Sequence, residues 1–517
     1  MNDFPVITAL TLVPLVGAVL VLGLEACQKK LARGLALGFS FVALALAVLV
    51  WLEFDPAQSD LQFVERHAWI PTLGVEYFVG LDGLGLIMVV LAAMVVPMSI
   101  LASWHIEEKV PLKMALMLFL QAGLFGTFTA LNFFHWFLFW ELSLIPAFFL
   151  IKLWGGPERS PAATQFFVYT MVGSVAMLLA FLAIFLSTKS FDFIELAEKA
   201  RSGELKAALS INLGWYALSE DQLAFIIFLG VLLGFAVKVP LMPFHTWLPA
   251  TYAEAPTGTT MLLTGVMSKM GVYGFLRILL PIFPDQVRAV LTPLLWLAVI
   301  TIVFSACAAF AQKDLKRVLA YSSINHLGYC LLGVFAVAKL TDSNNAWGTE
   351  RSAALTGTLL QMFNHGITAA TLFCFVGFLE QRSGGLRKLD DFGGLRKVAP
   401  VFCGLMGIAM FASLGLPGLN GFVGEFLIFK GAFPLTTWAA VLACAGLLVT
   451  AVFLLTLLQR VFNGPLNAKW SGFGDLTQFE RIVVIPATAL MFVLGIFPQI
   501  MVEKLTGTVV MMVEHLR

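Results

Sequence analysis

Long apolar runs separated by short polar breaks dominate the chain, and their lengths set its fold class. A helix that crosses a bilayer needs about 20 apolar residues. Runs of that order recur at 4–24, 31–52, 80–104, 112–130, 132–152, 162–187, 223–250, 256–281, 287–311, 315–338, 352–380, 399–435, 437–463 and 481–505. The pattern predicts an all-α polytopic membrane protein with about fourteen transmembrane helices. Two runs carry their own interruptions, the seventh at Pro240 and Pro243, the twelfth across Gly415, Pro417, Gly418 and Gly421. Proline lacks a backbone donor and glycine loosens a helix, so the seventh and twelfth are expected to be broken. The longest polar stretch, about 187–222, reads as a loop with at most one short helix.

The order of the runs implies a repeat. Five helices, 112–281, end just after the first broken one, and the next five, 287–463, also have their break in fourth place. A unit with an odd number of crossings starts its successor from the opposite face. The two sets are therefore expected to form inverted five-helix repeats, a construction common in transporters with midplane sites. Residues 1–111 supply helices 1–3 and residues 481–517 a C-terminal helix 14.

Composition supports this reading. Of 517 residues, 59% are hydrophobic and 12% charged, half the roughly 25% charged share of soluble domains. Mean hydropathy is +0.90. A net charge of +1 provides no basic patch for nucleic acid. Six scattered cysteines with no CxxC pair support neither a disulfide framework nor an iron–sulfur site. Residues 4–24 lack a basic leader and a small-residue cleavage motif, so they read as a first span and not a removable signal. Basic residues fall in alternate loops and their flanks (Lys29, Lys30, Arg33; Lys313, Lys316, Arg317; Arg382, Arg387, Lys388, Arg396, Lys397), while Glu53, Asp55, Asp60, Glu65, Glu76, Asp192, Glu195, Glu198 and Glu204 fall in the opposite ones. The positive-inside rule then places both termini on the outer side.

Against this background the charges inside the spans need a reason. One at a helix centre costs about 2.5–3.5 kcal/mol on insertion scales. Glu141 lies in the fifth span, Lys238 just before the first break, Lys269 in the eighth span, His326 in the tenth, His365 in the eleventh, and Glu425 after the second break. Six ionisable groups at similar depth, running through both halves, predict a file of proton carriers in the membrane plane. Plainer roles stand beside this one. A lone histidine often donates a structural hydrogen bond between helices, Glu141 could be a static counter-ion for Lys238, and the prolines could be kinks. A buried pair is nevertheless weak evidence for stability, because apolar replacements often serve as well. Asp82 and Arg277, nearer span ends, are expected to cap a loop or snorkel, and His135 and His245 to be peripheral. A different class of function, a haem-bearing electron carrier with His326 and His365 as axial ligands, predicts a visible absorption band.

At these residues the chain resembles the antiporter-like proton-channel subunits of respiratory complex I. The resemblance rests on "FWELSLIPAFFLI", "YTMVGS", "FAVKVPLMPFHTWLPATYAEAPT", "MSKMGVYGFLR", "AQKDLKRVLAYSSINHLGY", "MFNHGITAATLF" and "GLPGLNGFVGEF", across roughly residues 78–463. Within that family the M-type branch is the most similar. It has glutamate on the second broken helix where L- and N-type subunits have lysine, and that position is Glu425 here. L-type subunits also continue into a lateral helix and a further span, whereas this chain stops after its fourteenth. The resemblance implies that Glu141 modulates Lys238, that Lys269 and His326 link the two halves, that His365 continues the route and that Glu425 ends it. It also implies protons as cargo, other membrane-arm subunits (L- and N-type) as neighbours, and a bacterial inner membrane. No cofactor is expected in this chain, with FMN and iron–sulfur clusters in partner subunits. Related subunits of multi-subunit cation/proton antiporters, membrane hydrogenases and ferredoxin–plastoquinone complexes share these motifs.

Overall fold

In the computed structural model, which describes residues 4–209, 211, 212, 217–339 and 347–516, apolar helices follow one another in the predicted order. Twelve helices among the described residues are long and apolar enough to cross a membrane. The first and twelfth predicted crossings fall short of that length: the first is Val6–Leu22, and the twelfth is built in two pieces, Pro400–Ser413 and Asn420–Leu435. The seventh is likewise divided, into Glu220–Lys238 and Trp247–Glu254. Asp82, Ser219, Asp314 and Thr477 each accept a first-turn backbone N–H of the helix they precede, satisfying donors a helix leaves unpaired.

The spans differ in how far they are enclosed. The eighth, Thr257–Ile282, and the eleventh, Gly348–Ser383, are wholly covered through their apolar stretch, and the tenth, Leu315–Val337, nearly so. The second, Lys29–Glu53, is only 28% covered, and exposed Val19, Leu52, Leu179, Leu186 and Leu448 form a rim. Lipid tails are as apolar as leucine, so such a rim suits a bilayer. Three of the six predicted site residues, Lys269, His326 and His365, therefore sit on the most enclosed helices. The eighth span is not uniform, because wide π turns at Leu263–Met267 and Phe275–Leu279 flank Lys269–Gly274. Turns of this kind are frequent at functional sites.

Ion pairs sort the connecting segments into two faces. On the basic face Glu107 meets Lys29 (3.1 Å) and Arg33 (2.5 Å), while Arg387 reaches Asp314 (3.1 Å) and Glu254 (3.4 Å), and Lys316 meets Glu380 (2.8 Å). On the acidic face Arg66 joins Glu76 (2.6 Å) and Asp192 (3.1 Å).

Four local features differ from the sequence reading. An antiparallel hairpin, Gln62–Ile70 with Val75–Leu81, stands on the acidic face where hydropathy shows only a polar loop. The 187–222 stretch holds two short helices, Phe193–Ser202 and Glu204–Ala208, and a strand pair, Ile211–Asn212 with Ala217–Leu218, not one helix at most. Gly421 lies inside Asn420–Leu435, past the second break. The last run, expected as one helix over 481–505 within a 481–517 segment, is two helices. Gln478–Ile496 stops before Pro498, and Gln499–His515 turns back across the acidic face. There the Thr508 hydroxyl accepts the Gly83 N–H at 2.7 Å.

Candidate functional site

The first break leaves its mark on Lys238, the last residue of Glu220–Lys238. A helix C-terminus favours a cation, because its unpaired carbonyls carry partial negative charge. Side chains satisfy some of the freed backbone: the Trp247 indole donates to the Val237 carbonyl (3.0 Å), and the Met242 N–H donates to Thr301 Oγ1 (3.1 Å). The Lys238 ammonium is buried without a hydrogen-bond partner and lies 4.8 Å from the centre of the Trp140 ring. Glu141, next in sequence to that tryptophan, is half-buried, with one carboxylate oxygen enclosed and unpaired. Among the described residues no hydrogen bond or ion pair joins Glu141 to Lys238.

The remaining four residues are connected. Lys269 Nζ lies 2.9 Å from His365 Nδ1 and also bonds the Thr264 carbonyl and, at 3.4 Å, Ser268 Oγ. None of these bonds leads to Lys238. The His365 ring stands beside that of His326, centroids 4.9 Å apart. His326 Nδ1 is 3.1 Å from Glu425 Oε1, and its Nε2 is 3.0 Å from Ser413 Oγ. Gln361 Nε2 closes the group, 3.3 Å from both His326 Nδ1 and Glu425 Oε1. Lys269, His365, His326 and Glu425 therefore form one unbroken contact series between the eighth span and the second broken helix. The break itself is held by Asn364 and Asn420, each of whose side-chain amides donates to the other's backbone carbonyl (2.7 and 3.3 Å).

The two clusters approach through bare backbone. A methyl group on Gly271 would sit 3.0 Å from Val239 N and 3.2 Å from Phe235 O, so the eighth span lies directly on the first break. Nearby, the Ser143 hydroxyl of the fifth span lies 3.7 Å from the Met270 sulfur of the eighth.

Geometry also weighs the other readings. A bis-histidine haem needs two imidazoles end-on across an iron. His326 and His365 instead lie side by side, with nitrogens turned to Glu425, Ser413 and Lys269, and their spacing admits no porphyrin between them. Asp82 does cap its helix, accepting the Gly85 N–H (3.0 Å), but Arg277 does not snorkel: it makes a buried ion pair with Asp82 at 2.5 Å. His135 packs against Tyr77, ring centroids 4.8 Å apart, on the acidic face. Lys113, unremarked in the sequence, is fully enclosed 5.5 Å from the Trp154 ring. Gln361 was also missed, although its place four residues before His365 puts both on one helix face.

Comparison with known proteins shows which family the chain is similar to. Residues 130–451, which contain all six residues, match the transmembrane family described as NADH:quinone oxidoreductase/Mrp antiporter. A Rhodobacter capsulatus protein named NADH-quinone oxidoreductase subunit M is 36% identical over 485 residues, covering 94% of this chain and 91% of its own. The chain belongs to the subunit M family. Members from Mycobacterium tuberculosis H37Rv and Rickettsia bellii are each 33% identical, over 96% of this chain and 92% and 96% of their own lengths. Among solved structures, a chain of respiratory complex I from Thermus thermophilus matches with a TM-score of 0.84 at 29% identity, over 99% of this chain and 100% of that one. A chain of the Mrp complex from Dietzia shares the fold at 18% identity, with a TM-score of 0.81 over 99% and 97% of the two chains. Subunit M membership and the contact series concern the same stretch of sequence.

Proposed function

We propose that this chain is a proton-translocating membrane-arm subunit of a NADH:quinone oxidoreductase, in which Glu141, Lys238, Lys269, His365, His326 and Glu425 carry the proton. The observation that carries the reading is the contact series from Lys269 to Glu425, enclosed in spans where charge is expensive and tied together by Gln361. An ammonium at Lys269 can only donate, so His365 Nδ1 accepts and the ring's own proton sits on Nε2. A proton passed on to His326 is drawn by Glu425, whose carboxylate lies against Nδ1. Lys238 and Glu141 form the opposite end, where a shift of charge on Glu141 changes the ammonium's hold on its proton.

The segments 112–281 and 287–463 serve as the two inverted halves, one break in each. The acidic face and both termini lie on the outer side of a bacterial inner membrane. From the basic face a cavity of about 480 Å³, lined by Glu254, Lys316, Glu380 and Arg387, opens beside Thr257. Thr257, Thr260, Thr264 and Ser268 then lead along the eighth span towards Lys269, a row of hydroxyls suited to ordered water. FMN, iron–sulfur clusters and the quinone belong to partner subunits, so the chain couples to redox work without performing it. L- and N-type subunits are the expected neighbours.

Affinity purification through this chain from native membranes, followed by reconstitution, tests the proposal. The expected preparation contains redox subunits and acidifies vesicles on addition of NADH. Recovery with cation/proton antiporter subunits alone, and no NADH-driven acidification, overturns it.

A further inference from the structure

Behind the proposed route lies a second polar row. Lys269, Tyr273 and Arg277 are spaced four residues apart on the eighth span, on one helix face, and the row spans about 12 Å from the first to the last. Tyr273 is fully buried, its hydroxyl donating to the Phe128 carbonyl (3.2 Å), and the Arg277 guanidinium lies 5.6 Å from the Tyr273 ring. Arg277 in turn lines a cavity of about 590 Å³ on the acidic face, enclosed by Phe193–Ser202, by Gln499–His515 and by the end of the eighth span. Asp60, Glu198 and Glu514 line this cavity against Arg201, with His515 among them. Carboxylates of this kind draw cations towards its floor.

At that floor the Arg277–Asp82 pair is almost completely covered: the arginine side chain retains 7% exposure and the aspartate none. Asp82 is itself fixed by its cap on Gly85, and Gly83 is fixed by Thr508 of the cavity-lining helix. Arg277 Nε and Asp82 Oδ2 are buried with no hydrogen-bond partner, which makes the pair costly as mere packing.

We propose that Arg277, anchored by Asp82, is an electrostatic seal that stops protons in the acidic-face cavity from reaching Lys269 through Tyr273. A fixed guanidinium stays charged at every physiological pH and carries no exchangeable acceptor, so it repels a proton and cannot relay one. The same device, a cation in a narrow passage, excludes protons from water pores. The seal rests on Lys269 being a carrier, as proposed above, because only then is a connection from the acidic face a short circuit.

The test is passive. The intact complex is reconstituted into liposomes with potassium and valinomycin, a pH step is imposed without NADH, and its decay is followed with a trapped dye. Arg277→Gln is expected to collapse the gradient several-fold faster than wild type, and Arg277→Lys, whose buried amine can release its proton, to leak as well. A Gln variant that assembles normally and holds the gradient as well as wild type overturns the seal. Leu280→Cys and Tyr273→Cys, with Arg277 intact, give an independent readout whether or not the Gln variant assembles. A membrane-impermeant thiol reagent on the acidic face is expected to label position 280, which lines the cavity, and to spare position 273. Equal labelling of both overturns the seal. Failure of the translocation reading appears only in NADH-driven pumping and leaves these passive measurements interpretable.

Discussion

Lys238 has a buried ammonium with no hydrogen-bond partner, so its replacement breaks no hydrogen bond of that group. Lys238→Ala is expected to abolish most NADH-driven proton uptake while complex content stays near wild type, as read by dye quenching in vesicles and by blotting. Glu141→Gln keeps the shape but not the charge and should be nearly as damaging, whereas Glu141→Asp should retain a substantial part of pumping. Equal pumping by the Gln variant and wild type would reduce Glu141 to a packing residue. At this scale hydropathy reveals depth, which is why all six proposed carriers stand out in the sequence. It does not reveal which way a side chain points. Asp82 and Arg277 were therefore read as separate end residues and are an ion pair at 2.5 Å. Gln361, an uncharged residue, raised no alarm, although it touches both His326 and Glu425.

The broken helices are fixed by residues that tolerate no side chain. A methyl group on Gly421 would lie 1.9 Å from the Ala412 carbonyl oxygen, so the two half-helices of the twelfth span touch backbone to backbone. Gly415, at φ +78°, lies in the left-handed region that glycine alone visits freely, and a methyl group there would meet Glu425 Oε2 at 2.7 Å. Gly421→Ala should cost about 3 kcal/mol or more, since backbone cannot step aside, and should be seen as lost complex assembly or a sharply lowered melting temperature. Both breaks were legible because proline and glycine announce them. The π turns of the eighth span were not, since "LTGVM" and "FLRIL" hold nothing that forbids a regular helix. The hairpin was hidden for another reason. Its first strand, Gln62–Ile70, lacks a buried side chain and so shows no apolar run for a hydropathy reading to find.

As a whole the candidate site is asymmetric: contacts run from Lys269 to Glu425, and among the described residues no hydrogen bond or ion pair joins Lys238 to Glu141. A driven change at one end must therefore reach the other by charge, at a strength of about 1–4 kcal/mol for close pairs at intermediate dielectric. Glu425→Gln is accordingly expected to cut pumping by more than half, as read by dye quenching in vesicles. The isolated chain should show no NADH oxidation, and measured turnover by it would point to an unsuspected electron path. The order of the apolar runs came from the pattern of hydropathy, whereas the fold-back of Gln499–His515 did not, because Pro498 marks a bend without telling in which direction the mixed-polarity helix after it runs. That fold-back also sets a timetable. The Gly83–Thr508 bond joins residues 425 apart, and at about 5–20 residues per second a ribosome needs roughly 20–85 seconds to make the intervening chain. Throughout that interval Gly83, at the start of the third span, lacks the Thr508 hydroxyl that its N–H meets in the finished fold, so the last helix can close over the acidic face only after every other span has been made.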